Sequence, residues 1–374
     1  MSLTGTPFFL TALVLLIVAV VLPLGVWGRI SGPPLVRTLV RLLMVLFAQV
    51  TAITVVFVLV NNANNLYDNW GDLLGTDNHV QVAKDLGPDG MGGQKIKNQP
   101  KQIQQFRPAD DPRVGPGVKM TDLNGRISGV SGEVYVWLPP QYDDPAYRHK
   151  KFPVVEVLPG YPGSAKAWFG ALHVGEQLRP LMQRGEIKPF ILVAPRTTIL
   201  TGADTGCANI PGKVNADSWL SVDVRQMVID NFRAGDKAHS WSLAGYSAGA
   251  HCAAKLALAH PDRYRAAVAM SGYNDPKLEP DSLAGKDPKL RAENNPLNIL
   301  KAANAAGHPP RTALYVSGAA GDGYQAGIGL KQLAKRPTTV TVQLIPSNAG
   351  GHTTAVWRTQ VPEIFRWLGR EVRA

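Results

Sequence analysis

Two uncharged apolar runs stand within the first sixty residues and limit what that part of the chain can become. Residues 8–27, "FFLTALVLLIVAVVLPLGVW", carry no charged side chain, and about 20 apolar residues are what one helical crossing of a bilayer takes. Residues 42–60, "LLMVLFAQVTAITVVFVLV", make a second uncharged run of similar length. A cleaved signal peptide is the rival reading of the first run. It would need a basic stretch before Phe8, which the sequence lacks, and the second run follows closely. Two transmembrane helices are therefore expected. Arg29, Arg37 and Arg41 lie between the runs, whereas the N-terminal "MSLTGTP" has no basic side chain. The positive-inside tendency then puts the connection in the cytoplasm and everything after Val60 outside it.

This gives a three-part expectation: residues 1–60 as a membrane anchor, 61–129 as a juxtamembrane segment and linker, and 130–374 as a folded domain. Residues 61–75 leave the apolar run with Asn, Tyr and Trp, side chains suited to the membrane interface. Residues 76–129 are rich in Gly, Pro, Gln and Lys without sustained periodicity, the composition of an extended arm. The two cysteines, Cys207 and Cys252, both fall in the part expected to be exported. An oxidising compartment permits a disulfide between them, and two separate buried thiols are the alternative. The formal charge of +11 is spread along the chain without a recognition motif. A nucleic-acid partner is accordingly not expected, and attraction to an anionic envelope or membrane surface is the simpler account. No CxxC or Cys/His spacing marks a metal site, and no cofactor is expected.

From about Val130 the pattern changes. "GEVYVWLP", "FPVVEVLPG", "FILVAP", "WSLAGY", "RAAVAMSG", "TALYVSG" and "TVTVQLIP" are short apolar runs bounded by turn residues, several of them continuously apolar as strands buried on both faces are. Helical patterns at 218–232, 248–260, 324–335 and 353–370 lie among the later runs. Strand alternating with helix predicts a mostly parallel sheet covered on both faces, with its ligand site at the carboxyl ends of the strands.

One such end reads "WSLAGYSAGAHCAAKLALAH". G-x-S-x-G alone is a weak signal, but here Ser247 sits between a strand run and a helix pattern, the setting that holds a nucleophilic serine out of a strained turn. A serine hydroxyl needs a base, and the base an orienting acid, supplied in this chain order by later loops. His352, in "LIPSNAGGHTTAVW", follows the last strand run and precedes the last helix. Asp322, in "YVSGAAGDGY", follows the strand before it. A helix N-cap is its bland alternative, and Asp275 in "MSGYNDP" is the competing acid. Two backbone N–H groups must face the developing oxyanion. Ala248, just after the serine, supplies one, and Tyr161 in "LPGYPGSAKAW" is the choice for the other. Asp204, Trp168, Trp219 and Trp357 are further residues expected near the pocket, although packing accounts for the tryptophans equally well.

The segments 158–168, 218–232, 245–272 and 350–368 resemble the esterase D / S-formylglutathione hydrolase-like family of α/β-hydrolases, to which the antigen 85 mycolyltransferases also belong. The two N-terminal runs look similar to those of membrane-anchored actinobacterial members. The resemblance implies an α/β-hydrolase fold preceded by the two apolar helices, with Ser247 as nucleophile, His352 as base, Asp322 as acid, and Tyr161 and Ala248 as oxyanion donors. Three functions stay open at this stage. One is a serine esterase that hydrolyses a carboxylic ester at the outer membrane face. A second is an acyltransferase that moves an acyl group onto an envelope sugar or lipid hydroxyl. The third is a non-catalytic envelope-binding protein. The expected partners are an acyl ester substrate, including envelope lipid or glycolipid, and the membrane. The sequence leaves the oligomeric state open.

Overall fold

The computed structural model describes residues 1–87, 89–95, 99–109 and 111–373. The linker expectation at 88, 96–98 and 110, and the last residue of the expected folded domain, 374, lie outside these. The chain forms two compact units, Met1–Thr76 and Asp77–Ala374.

In the first unit, α1 (Thr6–Val26) and α2 (Pro34–Asn64) pack on one another. Both are long and apolar enough to cross a membrane, and most of their large side chains are exposed. α2 begins eight residues before the uncharged run (34 against 42), so Arg37 and Arg41 lie on its first turns and only Arg29 remains in the connection. Proline can open a helix because the first N–H groups have no intrahelical acceptor in any case, and the chain uses Pro34 in this way. Arg41 is held by the backbone oxygen of Trp27, over whose ring its guanidinium lies. α2 ends at Asn65 in the left-handed conformation, and the Asn61 side chain closes the turn by bonding both the N–H and the C=O of Tyr67.

The second unit is built on a nine-stranded sheet with the order β1-β2-β3-β5-β4-β8-β9-β10-β11. Its strands are β1 (Arg107–Pro108), β2 (Val118–Asn124), β3 (Ser131–Trp137), β4 (Val154–Leu158), β5 (Ile191–Pro195), β8 (Trp241–Tyr246), β9 (Ala266–Met270), β10 (Ala313–Gly318) and β11 (Thr339–Leu344), while β6 (Asn209–Ile210) and β7 (Val214–Asn215) form a separate ribbon. The six strands from β5 to β11 run parallel, and β1, β2 and β3 join antiparallel at one side. All seven predicted strands are present. Regular structure starts earlier than Val130, however. β2 pairs with β3 along its whole length and buries side chains on both faces, Val118 in one cluster and Leu123 in the other, so this part of the expected arm is a strand of the sheet.

The continuous apolar runs exist because both faces of the sheet are covered. Along β4, Val154 and Leu158 join one buried cluster while Val155 and Val157 join the other; along β8, Trp241 and Leu243 are divided in the same way from Ala244 and Tyr246. Of the predicted helices, 248–260 is Ala248–Ala259, 324–335 is Tyr324–Leu333, and 353–370 is Thr354–Glu371. The stretch 218–232 is helical but passes through a π-helical segment, Trp219–Val224, before Arg225–Asn231. Further helices, Val174–Gln183 and Pro296–Ala305, cover the sheet without having been predicted.

Candidate active site

Ser247 lies between β8 and the helix Ala248–Ala259 with φ 55° and ψ −125°, a backbone conformation that L-residues adopt only under constraint. The constraint is visible in the glycines on either side. A Cβ on Gly245 would fall 2.0 Å from the Gly249 carbonyl oxygen, and one on Gly249 would fall 2.3 Å from the carbonyl oxygens of both Leu158 and Pro159. Only hydrogen fits, so strand and helix approach closely enough to force the turn. The turn is anchored by Ser247 N–H donating to Met270 C=O at 2.9 Å. As the first helical residue, Ala248 has an N–H without an intrahelical acceptor, and the helix presents its positive end to Ser247.

His352 reaches this serine from the loop after β11. Its Nε2 is 2.9 Å from Ser247 Oγ and its Nδ1 is 2.9 Å from Asp322 Oδ1. The imidazole side chain is 46% exposed, so the site opens to solvent at its base. Trp357 closes one side: its ring meets the imidazole edge-on at 4.8 Å, stacks on Tyr246 at 4.4 Å, and donates from Nε1 to Ser271 Oγ at 3.0 Å. Asp322 does not cap the helix that follows, whose N-cap is Gly323. Gly323 has φ +88°, and a Cβ there would come within 2.7 Å of Ser271 Cα, so the loop bearing Asp322 rests on the segment after β9. The competing acid is committed elsewhere, because Asp275 accepts from Lys277 N–H and forms a two-bond pair with Arg291.

The loop bearing Tyr161 abuts the serine. A Cβ on the preceding Gly160 would stand 3.0 Å from Ser247 Cβ and 3.4 Å from its Oγ. Trp219 is buried with its Nε1 donating to Arg196 C=O, and Trp168 lies buried against Tyr246. Cys207 and Cys252 form a disulfide that ties the loop after β5 to the helix starting at Ala248. Asp204, in the same loop, is 7% exposed, and burial pushes its carboxyl up to about 6. His251, one turn into that helix, stacks on Tyr273, and burial depresses its imidazole to about 4, which leaves it neutral at physiological pH. Ser271, at φ 53°, and Tyr246 also shape the site. Neither carries a sequence signal beyond its neighbourhood.

A parallel sheet with an antiparallel margin, a serine in a strained strand-to-helix turn and an imidazole from the last loop define the α/β-hydrolase class. Within that class the chain belongs to the Esterase family, whose profile matches residues 128–368. An uncharacterised protein of Corynebacterium glutamicum is 25% identical over 276 residues, which cover 70% of this chain and 63% of that protein. The chain thus spans under two thirds of that relative's length. Among solved structures, a ferulic acid esterase superposes with a TM-score of 0.56 at 19% identity, covering 68% of this chain and 97% of its own. The fluorophosphonate-binding serine hydrolase F of Staphylococcus aureus gives 0.53 at 16% identity, covering 67% and 97%. An S-formylglutathione hydrolase from Agrobacterium tumefaciens gives 0.52 at 17% identity, covering 69% and 96%. At these identities the likeness speaks for the fold.

Proposed function

We propose that this esterase-family enzyme is a membrane-anchored serine esterase that cleaves a carboxylic ester through an acyl-enzyme on Ser247. The observation that carries the proposal is the unbroken hydrogen-bonded line Ser247 Oγ–His352 Nε2, His352 Nδ1–Asp322 Oδ1, each contact 2.9 Å. His352 takes the hydroxyl proton as Ser247 attacks the ester carbonyl, and Asp322 holds the imidazole and offsets its positive charge. The oxyanion is met by the N–H groups of Ala248 and Tyr161. As the tetrahedral intermediate collapses, His352 protonates the departing alcohol, and water then enters by the same route to release the acid. Two apolar helices of membrane-spanning length support the anchoring, and the arginines at and near their connection favour the extracytoplasmic side for the catalytic domain.

A second reading, transfer of the acyl group to a sugar or lipid hydroxyl of the envelope, uses the same residues. The half-exposed His352 favours it, because an alcohol larger than water can approach there. Incubating the detergent-solubilised protein with labelled envelope lipids separates the two: free acid alone indicates hydrolysis, and new esters indicate transfer. A fluorophosphonate probe that labels the wild type but not Ser247→Ala supports the shared acyl-enzyme step. Equal labelling, or none, overturns it.

A further inference from the structure

Beside the proposed triad, three loops meet around polar groups that the chain leaves unsatisfied. The segment after β9 runs past the site. Met270 C=O holds the Ser247 N–H, Ser271 touches Trp357, and Tyr273 stacks on His251 with ring centroids 4.9 Å apart. The next residue of that helix, Cys252, is bonded to Cys207, which brings in the loop carrying Asp204. Asp204 is laced by its backbone to the third loop: its N–H donates to Asp281 C=O at 3.1 Å, and its C=O accepts from Leu283 N–H at 2.8 Å. Glu279 belongs to this third loop and accepts from Asp281 N–H, and its carboxylate feels the charge of His352.

Asp204 Oδ2 is buried and accepts no hydrogen bond from the described residues, and Tyr273 Oη is likewise buried without a partner. Each is costly unless something meets it, because an unsatisfied buried polar atom forfeits its bonds to water. The charged groups acting on Asp204 are Glu279 and Asp281, both acidic, and those acting on Tyr273 are Asp204 and Glu279. In a chain of net charge +11, the charged groups named as acting on these two side chains are acidic. Carboxyl groups that raise one another favour whatever brings a positive charge among them.

We propose that Asp204 and Tyr273, with Glu279 at the edge, form a substrate subsite beside Ser247 that takes an ammonium group carried by the ester. An ammonium N–H satisfies Asp204 Oδ2, Tyr273 Oη accepts another, and the two flanking carboxylates balance the charge. The inference rests on the esterase reading, since the subsite selects among esters that Ser247 cleaves.

The test uses the full-length protein in detergent and two pairs of esters alike in shape. Methyl ω-aminohexanoate is compared with methyl heptanoate, which places the charge in the acyl part. 6-Aminohexyl butyrate is compared with heptyl butyrate, which places it in the alcohol part. The wild type is expected to prefer the charged member of at least one pair by about tenfold in kcat/KM, the scale of one partly desolvated charge pair. Asp204→Asn, which keeps the oxygen that the backbone N–H groups need, should bring that ratio close to one. If Asp204→Asn fails to fold, Tyr273→Phe and Glu279→Gln are each expected to lower the same ratio severalfold. Equal turnover within both pairs overturns the subsite while leaving the esterase reading in place. If no ester is turned over, the esterase reading fails, and calorimetric titration with ethanolamine against propanol decides the subsite. Ammonium binding that Asp204→Asn abolishes supports the site, and no such binding removes it.

Discussion

The two ends of the Ser247–His352 contact are held in opposite ways. Ser247 stands on packed backbone: Gly245 against Gly249, and Gly249 against Leu158 and Pro159. His352 stands on an exposed loop beginning with two left-handed glycines, Gly350 at φ +114° and Gly351 at φ +71°, and its side chain is nearly half exposed. Its orientation comes from Asp322 on one side and the edge of Trp357 on the other. The proposed nucleophile is thus fixed by close packing that tolerates no added atom, and the proposed base by one hydrogen bond and one ring. Substitutions near the serine should therefore cost stability, whereas those near the histidine should cost activity first.

Four changes probe that contrast. Ser247→Ala should lower kcat by about ten-thousandfold with an unchanged melting temperature, because it removes the attacking atom and no packing. A residual rate within tenfold of wild type would move the nucleophile elsewhere. Asp322→Asn should lower kcat by about a thousandfold while thermal unfolding stays put, since the imidazole loses its orienting charge but the loop keeps its shape. A large loss of stability instead would make Asp322 a structural residue. Gly249→Ala should cost about 3 kcal/mol in urea unfolding, because its methyl group meets two backbone oxygens that cannot move independently. Gly351→Ala has open space around its Cβ and only the positive φ to strain it, so about 1 kcal/mol is expected. If the two glycine variants proved equally destabilising, the distinction between a packed and a loop-held end would collapse.

A buried carboxyl in the strand next to β8 extends the comparison. Glu156 of β4 pairs in register with Leu243 of β8 and is fully buried, and burial pushes its carboxyl up to about 8 even though Tyr264 Oη donates to it. A carboxyl raised in the folded state holds its proton where the unfolded chain has already released it. Stability should therefore fall as pH rises from the ordinary value of 4.5 towards about 8. Glu156→Gln should flatten that fall in urea titrations between those limits, and an unchanged slope would assign it to other groups.

What the sequence revealed follows the same division. β4 and β8 were legible because burial on both faces makes them uniformly apolar, and Ser247 because its turn joins one such run to a helix. β2 was missed because its buried residues, Val118, Thr121 and Leu123, keep to no single face, are interrupted by Lys119 and Asp122, and lie in a Gly- and Pro-rich stretch. Val174–Gln183 was missed because Pro180 interrupts the helical pattern. At the site, the placement of His352 and Asp322 after successive strands was readable from order alone. The contact of Trp357 with Ser271 joins residues 86 positions apart, and no local pattern announces it.

The conformation of Ser247 also restricts which atoms evolution or an engineer may put there. At φ 55° and ψ −125° a side chain branched at Cβ collides with its own backbone, so threonine is barred although it carries a hydroxyl. Cysteine has the unbranched shape of serine and fits without moving the turn. A thiol is thus an accessible replacement at this position, whereas a secondary alcohol is not. Ser247→Thr should neither label with fluorophosphonate nor form an acyl-enzyme, and a thiol-directed reagent should modify Ser247→Cys.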